Sequence, residues 1–326
     1  MKLIIAEKPA VAGEIAKALK VNNKKYGYFQ NNEWTITWCV GHLVTLKDPS
    51  EYDEKYEKWT LEDLPIIPNR YELKPVKSSI EQYETVASLL QNDKYEFVIN
   101  ATDAGREGEL IFDNVYRLSG SKLRIKRLWT SAALTEEAIL RELNNLHEAS
   151  EFDGLRMAAR VRAACDWLIG INATRAVTLS VGQFKQVYTI GRVQTPTLAI
   201  LVKREQEIKN FNSKDYFTFH GSFNHDGQSY SGTYSEGKIF DKSRAEDLLS
   251  KIKNVKNASI KSVEVQEKKN LPPQLFDLTS LQKEANKIFG FTAEETLKIA
   301  QNLYEKHKCL TYPRTDYKHL ADEMKP

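Results

Sequence analysis

The first 150 residues switch repeatedly between the strand period and the helix period, which commits them to a sheet flanked by helices. KLIIA at 2–6 and EFVINA at 96–101 are short, continuously apolar runs of the kind that strands buried on both faces require. Around them stand a helical pattern in VAGEIAKALK (11–20), strand-like EWTITWCV (33–40), a helix from about Glu107, strand-like LRIKRLW (123–129) and helical TEEAILRELNNL (135–146). This alternation predicts an α/β domain with a parallel sheet over residues 1–150.

The character of the chain then changes twice. Residues 152–209 keep helical spacing, whereas 216–240 and 258–265 alternate as strands, with HDG and SEG as turns. After Pro272 and Pro273 the helical pattern returns in LTSLQKEANKIFG, closed by Gly290, and in a second helix from Thr292 to His307. Thr292 and Glu295 make a capping box. The expected fold is therefore multidomain α/β plus α and β: an α/β domain at 1–150, a helical segment at 151–212, a β-rich segment at 213–272 and the start of a helical domain at 273–326. Residues 50–75, with Tyr52, Tyr56 and Trp59 among charges and prolines, read as an ordered surface excursion.

With 326 residues and 41% hydrophobic content the chain has material for two or three cores. The N-terminus MKLIIAEKP meets acid and proline too soon for a signal peptide, and no apolar run is long enough to span a bilayer, so no membrane and a cytoplasmic location are expected. Cys39, Cys165 and Cys309 form no CxxC pair and predict neither a disulfide framework nor a cysteine zinc site. A net charge of +3, from 47 basic and 44 acidic residues, does not itself announce nucleic acid, although it permits a local basic groove.

Candidate chemistry sits where strands end. Glu7 and Lys8 fall at the carboxyl end of the first strand, the edge where open α/β sheets hold ligands. The run EFVINA likewise empties into TDAGREGELIF, where Asp103, Gly105 and Glu107 alternate and would face one way if extended. With Glu7 these carboxylates suit a hard cation, Mg2+ above all; taken alone, a DxGxE is equally a solvated turn and helix start. Lys8 and Arg106 would stabilise phosphate charge, or Arg106 would pair with Glu109. In CLTYPRTDY, Tyr312 is either a packed ring or a nucleophile, and Arg314 is either its phosphate partner or the counter-ion of Asp316.

Taken together, IAEKP at 5–9, ATDAGREGELI at 101–111, RAACDWLIGINATRA at 162–176, GRVQTPTLAIL at 191–201 and TYPRTD at 311–316 resemble, in order, the motifs of type IA DNA topoisomerases, with a Toprim domain first. AEKP and INATRA look most like the bacterial topoisomerase III branch. The resemblance implies Tyr312 as nucleophile and Arg314 as its phosphate-binding neighbour. It also implies an acid, base and metal set of Glu7, Lys8, Asp103 and Glu107, with Arg192, Gln194 and Asp166 contacting single-stranded or locally unwound DNA. A 5′-phosphotyrosine bond would store the broken phosphodiester, in keeping with the absence of a GxxxxGK[ST] loop for ATP.

Where many members carry DxDxE, this chain has Gly105, so one magnesium is expected, with any second ion weaker. A helicase is the candidate protein partner and the nucleoid the expected setting. With 14 residues after Tyr312, where the family continues, the chain is expected to be a fragment with relaxation lost or impaired. Rival readings are a catalytically silent single-strand-binding fragment and a Toprim nuclease or primase. A tyrosine recombinase would lack the acidic cluster. Arg192 is as consistent with an internal salt bridge as with DNA, Asp166 with a cap or an arginine partner, Trp167 with core, and His42 with a structural role.

Overall fold

A computed structural model describes residues 1–130, 135–181, 186–315 and 317–320. They form two compact units, one of Met1–Thr195 with Pro273–Pro326 and one of Pro196–Pro272.

The first unit is built on β1 (Lys2–Ala6), α1 (Pro9–Ala18), β2 (Lys24–Lys25), β3 (Tyr28–Gln30), β4 (Trp34–Trp38), β5 (Val44–Leu46), β6 (Leu73–Pro75), α2 (Ile80–Leu90), β7 (Phe97–Ala101), α3 (Arg106–Ser119), β8 (Arg124–Arg127), α4 (Glu136–Asn144) and β9 (His147–Glu148). Seven strands form one sheet in the order β2-β3-β4-β1-β7-β8-β9. Its centre, β4-β1-β7-β8, is parallel, and antiparallel strands close both edges. Leu3, Ile4 and Ile5 are all fully buried because the strand period sends alternate residues to opposite faces. Ile4 and Ala6 meet Val11, Ile15 and Ile139 of α1 and α4, while Leu3 and Ile5 meet Val86 and Leu89 of α2 and Ile111 and Phe112 of α3. The continuous apolar run is thus a strand covered on both sides, as expected.

Then follow α5 (Asp153–Val181) and α6 (Gln194–Lys209). The excursion over 50–75 is fastened to α5 instead of standing free: Trp167 Nε1 donates to the Lys47 carbonyl at 2.9 Å, and the rings of Tyr52 and Tyr71 meet Trp167 edge-on at 6.0 and 5.6 Å.

In the second unit β10 (His220–His225) and β11 (Gln228–Thr233) form an antiparallel hairpin. Its turn uses Asp226 and Gly227 at φ 48° and 77°, the left-handed pair that a two-residue hairpin turn requires. The structure departs from the alternation reading at 258–265, which has no strand. Ile260, Val263 and Val265 are 70, 78 and 94% exposed, so neither face is covered and no neighbour completes a ladder. The same unit gains α7 (Lys242–Ile252), nucleated by the Asp241 side chain on the Ser243 and Arg244 N–H groups.

The chain returns to the first unit with α8 (Leu278–Phe289) and α9 (Ala293–Glu305). Gly290 ends α8 at φ 71°, and the box forms at α9: Thr292 Oγ1 accepts the Glu295 N–H at 3.1 Å, and Glu295 accepts the Thr292 N–H at 2.8 Å. Among the described residues no helix is long and apolar enough to cross a membrane.

Candidate active site

The parallel register of β1 and β7 pairs Ala6 with Ala101, so the residues that follow, Glu7 and Thr102–Asp103, leave the sheet at one edge. Glu7 is 8% exposed and its carboxylate accepts the Asp103 N–H at 3.1 Å. Burial, and then the negative charge of Asp103, push its pKa up to about 7, against the pull of that N–H and of Lys8. Lys8 Nζ lies 3.8 Å from Asp103 Oδ2 and 3.7 Å from Glu305 Oε1 at the end of α9.

Tyr312 arrives at this edge from the far end of the chain. Its hydroxyl donates to Asp103 Oδ2 at 2.9 Å, and its ring stands edge-on to Tyr304 at 5.6 Å. Burial and the Asp103 charge hold the phenol well above its ordinary pKa, with Arg314 the positive charge acting the other way. Beside them lies a small cleft lined by Val11, Ile15, Asp103, Thr130, Ile139 and Tyr304.

The expectation that Asp103, Gly105 and Glu107 alternate along an extended segment does not hold. Gly105 caps α3, which starts at Arg106, so Glu107 lies in a helical first turn. Its carboxylate meets His42 Nε2 at 2.6 Å. Among the described residues no three His, Cys, Asp or Glu side chains converge as an ion-holding set. The turn itself is tight: a Cβ on Gly108 would fall 2.2 Å from the Asp103 carbonyl oxygen.

Below the turn lies a residue that sequence reading missed. Arg127, 1% exposed, pairs with Glu109 at 2.7 Å. It also donates to the carbonyls of Asn100, Thr102, Leu128 and Asp103 at 3.0, 2.7, 2.7 and 2.9 Å. It thereby takes Glu109, the partner considered for Arg106, and holds the backbone that presents Asp103. The available signal was a cation ending a strand beside β7, with Arg127 opposite Asn100. Glu305 and Tyr304 carried no comparable signal, and Asp316 lies outside the described residues.

Two of the strand-binding candidates, Asp166 and Arg192, sit together. The Arg192 guanidinium grips Asp166 through two bonds, 2.6 and 3.1 Å, and holds its carboxyl below the usual range. Gln194 opens α6 directly after. Both members of the pair are partly exposed, and Trp167 is half-buried between Tyr52 and Tyr71.

A family model for the Toprim domain matches residues 2–132, and one described as DNA topoisomerase matches 150–326. DNA topoisomerase 3 of Bacillus cereus (strain ATCC 14579) is 41% identical over 324 residues, 99% of this chain and 44% of the relative. DNA topoisomerase 3 of Staphylococcus aureus (strain USA300) is 41% identical over 322 residues, with the same coverages of 99% and 44%. The structure of full-length topoisomerase I from Thermotoga maritima superposes with a TM-score of 0.66 at 26% identity, over 98% of this chain and 50% of that one. The chain thus spans less than half the length of these curated relatives.

Proposed function

Because this chain belongs to the DNA topoisomerase family, we propose that it carries the strand-cleaving centre of a type IA, topoisomerase III-like enzyme. That enzyme breaks and rejoins one DNA strand without ATP through a 5′-phosphotyrosine bond. The observation that carries this reading is the Tyr312 to Asp103 hydrogen bond, which joins a phenol to the acidic edge across 209 positions.

Tyr312 Oη attacks a backbone phosphorus while Asp103, already its hydrogen-bond acceptor, takes the phenolic proton. The P–O3′ bond breaks as the tyrosyl ester forms. Glu7, whose raised pKa keeps it partly protonated near pH 7, supplies the proton to the departing 3′ oxygen. Arg314 and Lys8 offset phosphate charge, and the ester retains the bond energy for rejoining. A buried carboxyl beside the charge of a second is a donor set that fits a divalent, oxygen-preferring ion. Once Glu7 has given up its proton, Glu7 and Asp103 would hold one Mg2+, and Glu107 would join only by leaving His42. Bound there, the ion supplies Lewis-acid stabilisation of phosphate charge. Arg192, Gln194 and Asp166 contact single-stranded or locally unwound DNA, with Asp166 first releasing Arg192. The setting is the nucleoid in the cytoplasm, with a helicase as the partner that opens strands.

The test mixes the chain with Mg2+ and a single-stranded oligonucleotide labelled at either end, followed by detergent quenching. A 3′-labelled protein adduct, absent in Tyr312→Phe, is expected. Transfer of only the 5′ label would refute the polarity, and no adduct with strand binding intact would identify a silent binding chain.

A further inference from the structure

Helix α5 buries a cation that the strand-cleaving site does not use. Arg175 is 6% exposed, yet its Nε has no hydrogen-bond partner among the described residues. Its guanidinium lies over the Trp59 ring, 4.9 Å from the centroid. The acid whose charge reaches it, Asp63, already accepts the Thr60 hydroxyl at 2.5 Å. Buried donors are nearly always paired, because a donor removed from water and left alone costs more than a bond returns.

Its neighbours show how α5 fastens the same excursion by ordinary means. Asn172 Nδ2 donates to the Ile66 carbonyl at 2.9 Å, and its Oδ1 accepts the Ile66 N–H at 2.5 Å. Trp167 adds the bond to Lys47. Arg175 supplies no such staple, and covering Trp59 needs only an apolar stem, without a buried charge.

We propose that Arg175, held flat by Trp59, is a receptor for a phosphodiester group of single-stranded DNA, an inference that rests on the strand-binding reading above. A guanidinium presents a planar fork of donors that matches two phosphate oxygens. The tryptophan face fixes the plane of that fork, and the dry surroundings strengthen its pull on an anion. The contact is separate from Arg192: Asp166, which holds Arg192, lies nine residues earlier on α5, about 14 Å along the axis and on the opposite side of the helix.

Binding of a fluorescent oligodeoxythymidine across a salt series tests this, with wild type beside Arg175→Met and Arg175→Lys. Arg175→Met should weaken binding at low salt and reduce the slope of log K against log salt by about 0.7, the share of one phosphate contact on a single strand. Arg175→Lys should keep the slope, and Arg175→Met should melt no lower than wild type. If inorganic phosphate at matched phosphate concentration erases the difference between wild type and Arg175→Met, the site takes free anion and the strand assignment falls. An unchanged slope in a wild type that binds overturns this inference alone. A wild type that binds no oligonucleotide overturns the strand-binding reading with it.

Discussion

Glu7 concentrates the electrostatics of the site in one carboxyl group. In the fold it keeps its proton to about pH 7, whereas the unfolded group loses it near 4.5. Between those values the fold holds the extra proton, so this group's contribution is complete below about pH 4.5 and disappears as pH rises through 7. In chelator, the melting temperature of wild type relative to Glu7→Gln should therefore fall from about pH 5 to about pH 8. A constant difference would show that Glu7 does not titrate in this window. Arg127 has the opposite character, a charge whose value lies in its partners. Arg127→Met leaves the buried Glu109 with only Asn100 at 3.2 Å and Arg156 at 3.7 Å and should cost about 3 kcal/mol in urea denaturation. Adding Glu109→Leu should restore part of that, because the pair is then replaced by apolar volume.

At the scale of elements, α9 shows what short-range sequence could reveal. Thr292 and Glu295 announced the helix start, and the box forms as read. Thr292→Ala should cost about 1 kcal/mol and speed amide exchange in the first turn of α9, with β1 and β7 unaffected. Gly290 was legible for the same reason, since only the left-handed region lets the chain turn sharply there. Glu7, Lys8 and Asp103 were legible because parallel strands end at a common edge, a rule that depends on direction and not on side-chain detail. Glu107 was misplaced by a single assumption: α3 begins at Arg106, and one residue of helix redirects the carboxylate to His42. The 258–265 stretch failed differently, for alternation describes a strand only where a neighbouring ladder receives it. Tyr304 and Glu305 were invisible because their roles exist only through contacts distant in sequence.

At the scale of the whole chain, the site exists because the segment from 273 onward folds back onto the unit begun at residue 1. Tyr304, 5% exposed, joins the core of Val11 and Ile15, which supplies most of the docking energy through burial. Around it lie two half-exposed ion pairs, Lys8 with Glu305 and Lys308 with Glu14, both at 3.7 Å. Pairs of this kind contribute about 0.2–1 kcal/mol each and are screened by salt, so they tune the docking without determining the fold. Lys308→Glu places two acids together and should accelerate proteolysis after α9, while the melting temperature of the core moves little. Adding Glu14→Lys should return the cleavage rate toward wild type, since the reversed pair has the same geometry with exchanged signs. High salt should shrink the difference between the single variant and wild type. A cleavage rate that ignores both the swap and the salt would mean that burial of Tyr304 alone holds the tyrosine segment against the acidic edge.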